Sequence, residues 1–189
     1  MRQSNTFSLS FFKKSLLDLY LLYLRDNVKI NQKPANILAT GIRQLIEEQI
    51  TNKLTFFETA EFVFEFGNAW DKRLKALALA SKAGIRIGII ESFFEIDFAT
   101  GEQTDKERKT FYNFFPTNHL HYGYTDLFAW KNMWGIRSNL TLSPTRETKL
   151  MIDLWSFQLR SPYDFWYRAG HEPMFQNIAL YQNVISEEN

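Results

Sequence analysis

TFFETAEFVFEFGNAWDKRLKALALASKA, residues 55–83, is the longest patterned stretch of this chain, and the fold class turns on how it is read. Thr55 and Glu58 have the spacing of a capping box, in which each side chain satisfies a backbone donor at a helix start. Behind them Phe56, Ala60, Val63, Gly67, Trp70, Leu74 and Leu77 recur at alternating intervals of four and three, the stripe of an amphipathic helix. An unbroken helix to Ala83 would be about 43 Å long, with Gly84 as its stop. Phe62, Phe64 and Phe66 fall outside the stripe and require a second partner. This reading makes the segment the spine of the fold, with Trp70 buried along it.

The flanks extend the pattern. The residues from Phe11 to about Arg25 are apolar on more than one side and uninterrupted by Gly or Pro, which predicts a central helix. Pro34 suits the first turn of a second helix reaching about Lys53. The period then changes to two: Ile85, Ile87 and Ile89 alternate with Arg86 and Gly88, and Phe94, Ile96 and Phe98 with Glu95 and Asp97, as in strands. Residues 109–115 read as a further strand or as a helix capped at Thr104. Ser143-Pro144 predicts a helix to Arg160, with Leu150, Leu154 and Phe157 inward, and Pro173 opens a last one. The expected fold is therefore mainly α, an α+β single domain over 1–189. Its N-terminal half, 10–83, is helical, and its aromatic-rich half, 84–189, carries a small antiparallel sheet or hairpin around 85–115.

Composition bounds the function. There is no Cys, which removes disulfides, thiolate nucleophiles and cysteine-ligated metal centres. A net charge of +1 supplies no global field toward nucleic acid or anionic membranes. The longest apolar run, Leu19 to Leu24, is far short of the roughly 20 residues of a membrane-spanning helix. The N-terminus lacks a secretory pattern, so a cytoplasmic protein without a membrane partner is expected. Eighteen Phe, eight Tyr and five Trp exceed what an average core of this size needs, and the surplus points to a binding surface.

That surface is placed at Tyr122, Tyr124, Trp130, Trp134, Arg137, Trp166 and Arg168, Tyr, Trp and Arg being the residues interfaces favour. The expected function is a non-catalytic accessory protein that binds another protein. Its abundance of Phe, Ile, Asn and Lys resembles products of AT-rich genomes, as in bacterial mobile elements. An RNA- or DNA-binding subunit is the first alternative, with Lys106, Arg108 and Lys109 taking phosphates and Tyr112 stacking on bases. A metal-dependent hydrolase is the second, using His119, His121 and His171, since two imidazoles at H-x-H spacing share one face of a strand. No cofactor is expected, because no nucleotide-binding glycine loop or catalytic elbow is present. Glu91, Glu95 and Asp97 read either as an acid–base or cation-binding group or as the polar face of a half-buried strand.

Overall fold

The computed structural model describes residues 2–9, 15–26, 35–69, 72–102, 108–114, 128–168 and 173–174. They contain eight strands: β1 (Arg2–Leu9), β2 (Ser15–Asp26), β3 (Ala35–Gln49), β4 (Leu54–Ala69), β5 (Lys72–Ile87), β6 (Ile90–Ala99), β7 (Met133–Leu142) and β8 (Leu150–Leu159). The strands form one sheet in sequence order, each antiparallel to the next. No helix occurs among the described residues. The mainly α, α+β expectation is thus replaced by an all-β meander, and the helical half at 10–83 by the greater part of β2 to β5.

Residues 55–83 show why. They cross the sheet twice, as β4 and β5, with Phe62 opposite Leu79, Val63 opposite Ala78 and Phe64 opposite Leu77. A strand puts Phe62, Phe64 and Phe66 on one side, where a helix would scatter them. Leu77 and Leu79 share that side, while Val63, Glu65, Ala76, Ala78 and Ala80 are buried on the other. The apparent four–three stripe mixes the two faces, since Phe56 and Leu77 point one way and Val63 the other. Thr55 and Glu58 cap nothing: each is a rung of the β4–β5 ladder, opposite Arg86 and Ala83. Trp70 lies outside the described residues.

The same parity governs the other misread segments. Pro34 precedes β3 rather than a helix, and the residues from Ser15 to Arg25 belong to β2. Ser143-Pro144 begins a turn, in which Thr145 Oγ1 accepts bonds from the Glu147 and Thr148 amides at 3.2 and 3.0 Å. Beyond it Leu150–Leu159 is β8, so Leu150 and Leu154 face opposite to Phe157. The segment 108–114 forms neither strand nor helix; it meets the sheet at the bridge between Arg108 and Leu74.

One end of the sheet carries short turns, at 50–53, 88–89 and 143–149. Gly88 makes the tightest of them with φ 56°, a left-handed conformation that suits the first position of a two-residue hairpin loop. The other end carries the connections 27–34, 70–71 and 100–132, the last by far the longest. In mid-sheet, on the face with the buried residues, the Tyr20 ring lies across Gly41 of the neighbouring strand, and its hydroxyl donates to Glu61. A Cβ at position 41 would stand 2.1 Å from that ring. Gly41→Ala should therefore cost about 1–3 kcal/mol by overpacking, read as a lower urea midpoint.

Candidate functional site: a two-faced β wall

The two faces of the sheet have opposite chemistry. On the outer face Leu19 and Leu21 of β2, Ile42 of β3, Phe62, Phe64 and Phe66 of β4, and Leu79 of β5 are exposed. Phe94 of β6, Trp134 and Leu140 of β7, and Ile152 and Leu154 of β8 continue the belt, Leu154 being 67% exposed. So extensive an apolar patch is foreign to a water-facing monomer. The inner face instead presents charges, small residues and aromatic rings. Asp18 pairs with Arg43 at 3.0 Å, and Arg86 with Glu91 at 2.8 Å.

Arg137 is the hub of this inner face. Its Nε donates to Asp153 Oδ1 at 2.8 Å and its Nη1 to Glu95 Oε2 at 3.2 Å. Phe93 and Trp155 lie against its guanidinium at 4.8 and 4.5 Å. Asn139 Nδ2 donates to the same Asp153 oxygen at 2.9 Å. Register explains the assembly: Glu95 opposes Arg137, which opposes Trp155, and Asn139 opposes Asp153. Asp97, fully buried two residues beyond Glu95, has no hydrogen-bond partner on either carboxylate oxygen among the described residues. Glu91, Glu95 and Asp97 do share one face, as the strand reading of their spacing allows.

At the long-connection end, the chain after β6 and after β8 folds over the inner face. Phe111, Phe114 and Trp130 pack into one cluster with Ile37, Ala39, Val63, Ala76, Ala78 and Met133, the small side chains leaving room for the rings. The Tyr112 amide donates to Glu65 Oε2 at 2.7 Å. Asp164 holds the layer together, accepting from Thr110 Oγ1, the Glu102 amide and the Tyr167 hydroxyl at 2.5, 2.8 and 2.6 Å. Asn132, buried with φ 46°, ties the two segments by exchanging bonds with Ser161: its Nδ2 donates to the Ser161 carbonyl and its Oδ1 accepts from the Ser161 amide.

Lys131 sits inside this layer, 4.4 Å from the Tyr167 ring and 5.4 Å from that of Tyr112. Burial lowers its ammonium to about pKa 8; nearby Arg108 adds to the shift, and Asp164 and Glu65 oppose it. The unfolded chain therefore holds a proton that the fold releases between about pH 8 and 10.5. Stability of the layer should rise with pH across that window, and the full cost of the buried charge is felt below it. Burial raises the Tyr167 hydroxyl above the ordinary tyrosine range, which acts oppositely once unfolded tyrosines ionise near pH 10. Hydrogen exchange of the 108–114 amides, corrected for intrinsic rate, should slow from about pH 7.5 to 9.5, and Lys131→Met should abolish that trend.

The residues singled out in the sequence are dispersed. Trp130 is buried in the layer; Trp134 is on the outer face, edge-on to Phe98 at 5.8 Å; Arg137 is on the inner face. Trp166 touches Phe128 at 4.8 Å, and Arg168 is exposed. Arg108 bonds β5 through its backbone, to Arg73 and Lys75, Lys109 follows it, and Tyr112 meets Lys131. Tyr122, Tyr124, Lys106, His119, His121 and His171 lie outside the described residues. Among the described residues no three His, Asp or Glu side chains are grouped as a metal would require. Sequence reasoning missed Glu65, Asp164 and Lys131. The alternation of acids with large apolar residues in β4 was the signal for the first.

An antiparallel meander with an apolar outer belt and a polar, charged inner face is the pattern of a membrane β-barrel wall, in which strands of 9–11 residues suffice to cross. β3, β4 and β5 have 15, 16 and 16 residues. The family model for alginate export matches residues 10–185, and the chain belongs to that family. No curated protein and no solved structure matches the chain. Family and sheet together overturn the cytoplasmic accessory-protein reading, with its nucleic-acid and hydrolase alternatives and its exclusion of a membrane. They point to an outer-membrane, porin-like export protein. No described helix is long and apolar enough to cross a membrane, but strands cross without long apolar runs because only alternate residues meet lipid, which is why the short run Leu19 to Leu24 did not exclude a membrane.

Proposed function

We propose that this chain forms wall of an outer-membrane β-barrel through which alginate, or a chemically similar acidic polysaccharide, is exported. The observation that carries the reading is the division of the sheet, ion pairs and amides on one face and exposed Phe, Leu and Ile on the other, in a chain of the alginate export family. The inner face would line the polysaccharide's path. Arg43 and Arg86, inner-face side chains that are 45% and 44% exposed, offer hydroxyl- and carboxylate-binding groups there, and the layer containing Tyr112, Lys131 and Trp166 narrows the passage at the long-connection end. The test is reconstitution of the protein in planar lipid bilayers. Discrete conductance steps, interrupted by alginate oligosaccharides, are expected. Recovery in the soluble fraction with no conductance would overturn the reading.

A further inference from the structure

The outer face is polarised along the strands. Moving from its apolar belt toward the long-connection end, the cross-strand rows read Leu21, Thr40, Phe64, Leu77; then Tyr23, Leu38, Phe66, Lys75; then Arg25, Asn36, Asn68, Arg73. Each row is a run of directly opposed residues on four adjacent strands. The apolar belt thus gives way within two rows to three cations and two amides. Arg25, Asn68, Arg73 and Lys75 are exposed, and Tyr23 donates its hydroxyl to Asn36 Oδ1 at 3.1 Å. Toward the turn end the described residues of the same face include no such group of cations: Glu48 and Glu58 stand there in rows that also hold Phe56, Ile85, Phe94 and Leu140.

Long basic side chains one row above a lipid-facing belt stand at headgroup depth, where their stems cover apolar surface and their charges reach phosphate. Tyrosine at the same level is the usual interfacial anchor. The amides of Asn36 and Asn68 between the cations add donors for phosphate oxygens or sugar hydroxyls. In outer-membrane barrels the end with long connections faces outward and the end with short turns faces the periplasm, which puts this row in the outer leaflet.

We propose that the row Arg25, Asn36, Asn68 and Arg73, with Lys75 beneath it, is a docking site for a phosphorylated glycolipid headgroup of the outer leaflet. The site rests on the membrane-barrel reading and orients the barrel by charge as well as by hydrophobicity. It is distinct from the polysaccharide path, because these residues and the ion-paired Arg137 point to opposite faces of the sheet.

The experiment uses the whole protein purified in a zwitterionic detergent and titrated with lipopolysaccharide, with enzymatically dephosphorylated lipopolysaccharide, and with inorganic phosphate. Lipopolysaccharide should raise the melting temperature and stay bound through gel filtration; the other two should do neither. Each cation near an anionic lipid surface strengthens binding roughly fivefold, so the Arg73→Gln, Lys75→Gln double variant should bind about 25-fold more weakly. The charge-preserving Arg73→Lys, Lys75→Arg variant should bind as the parent does. Unchanged lipopolysaccharide binding in the double Gln variant, or equal binding of the dephosphorylated lipid, would overturn the proposal, and a melting response to phosphate alone would replace it with a free-anion site. Insertion into protein-free liposomes is measured in parallel: failure there defeats the barrel reading itself, whereas insertion without lipopolysaccharide binding defeats only the docking site.

Discussion

Arg137→Ala should lower stability by about 3–5 kcal/mol, the usual result of removing one member of a buried ion pair and leaving its partners charged in a poor solvent. The guanidinium side chain is 11% exposed, Glu95 is 2% exposed, and a single Arg pairs with both Glu95 and Asp153. Its removal also strips the cation from between Phe93 and Trp155. Lysine should rescue little, because one ammonium cannot reproduce a planar fork that serves two carboxylates and two ring faces. The measurement is urea unfolding of the folded, detergent-solubilised protein, followed by the fraction that keeps compact mobility on unheated gels. A loss below about 1 kcal/mol would mean that Glu95 and Asp153 are hydrated once Arg137 is gone and that these ion pairs add little to stability.

Phe64→Arg should cost about 1–3 kcal/mol of membrane folding, because the cost of a basic residue on the lipid face falls from about 2–4 kcal/mol at mid-bilayer to near zero at the interface. Phe64 is 36% exposed and lies in the outer belt between Thr40 and Leu77, one row inside Phe66 and Lys75. This substitution separates the two environments sharply. On a water-exposed sheet the replacement would be nearly neutral and would improve solubility, since an exposed ring is traded for a charge. In a bilayer it should reduce insertion into liposomes and shift the unfolding midpoint, and Phe64→Leu should behave as the parent does. Equal folding of the Arg variant would place the outer face in water and remove the basis for a barrel.

The two-residue period was legible where large apolar and charged residues alternate, as in Phe94, Ile96 and Phe98 against Glu95 and Asp97. It was obscured in residues 55–83, because hydrophobicity alone does not alternate there. Val63 and Ala76, Ala78 and Ala80 are apolar residues on the inner face, packed beneath Phe111 and Phe114, and they blur the contrast with the Phe and Leu outside. Size does alternate: Phe62, Phe64 and Phe66 against Val63 and Gly67, and Leu77 and Leu79 against three alanines. A residue that packs under an inward-folded segment is small, one that meets lipid is large, and that distinction survives when polarity fails. The Thr55–Glu58 spacing misled because a four-residue motif carries no information about what lies across the sheet.

Of the candidate site, the aromatic surplus and the individual charged residues were visible in the chain. Their division between two faces was not, because neighbours in sequence such as Trp134 and Arg137 end on opposite sides of one strand. By itself the sequence determined the absence of cysteine chemistry, the near-neutral charge and an apolar aromatic excess too large for one core. Only the tertiary structure decided where that excess goes. Strand pairing sends alternate side chains to opposite sides, so one register choice repeated along the sheet sends Phe62, Phe64, Phe66, Phe94 and Trp134 to the outer belt and brings Arg137 together with Glu95 and Asp153 from the strands on either side of it.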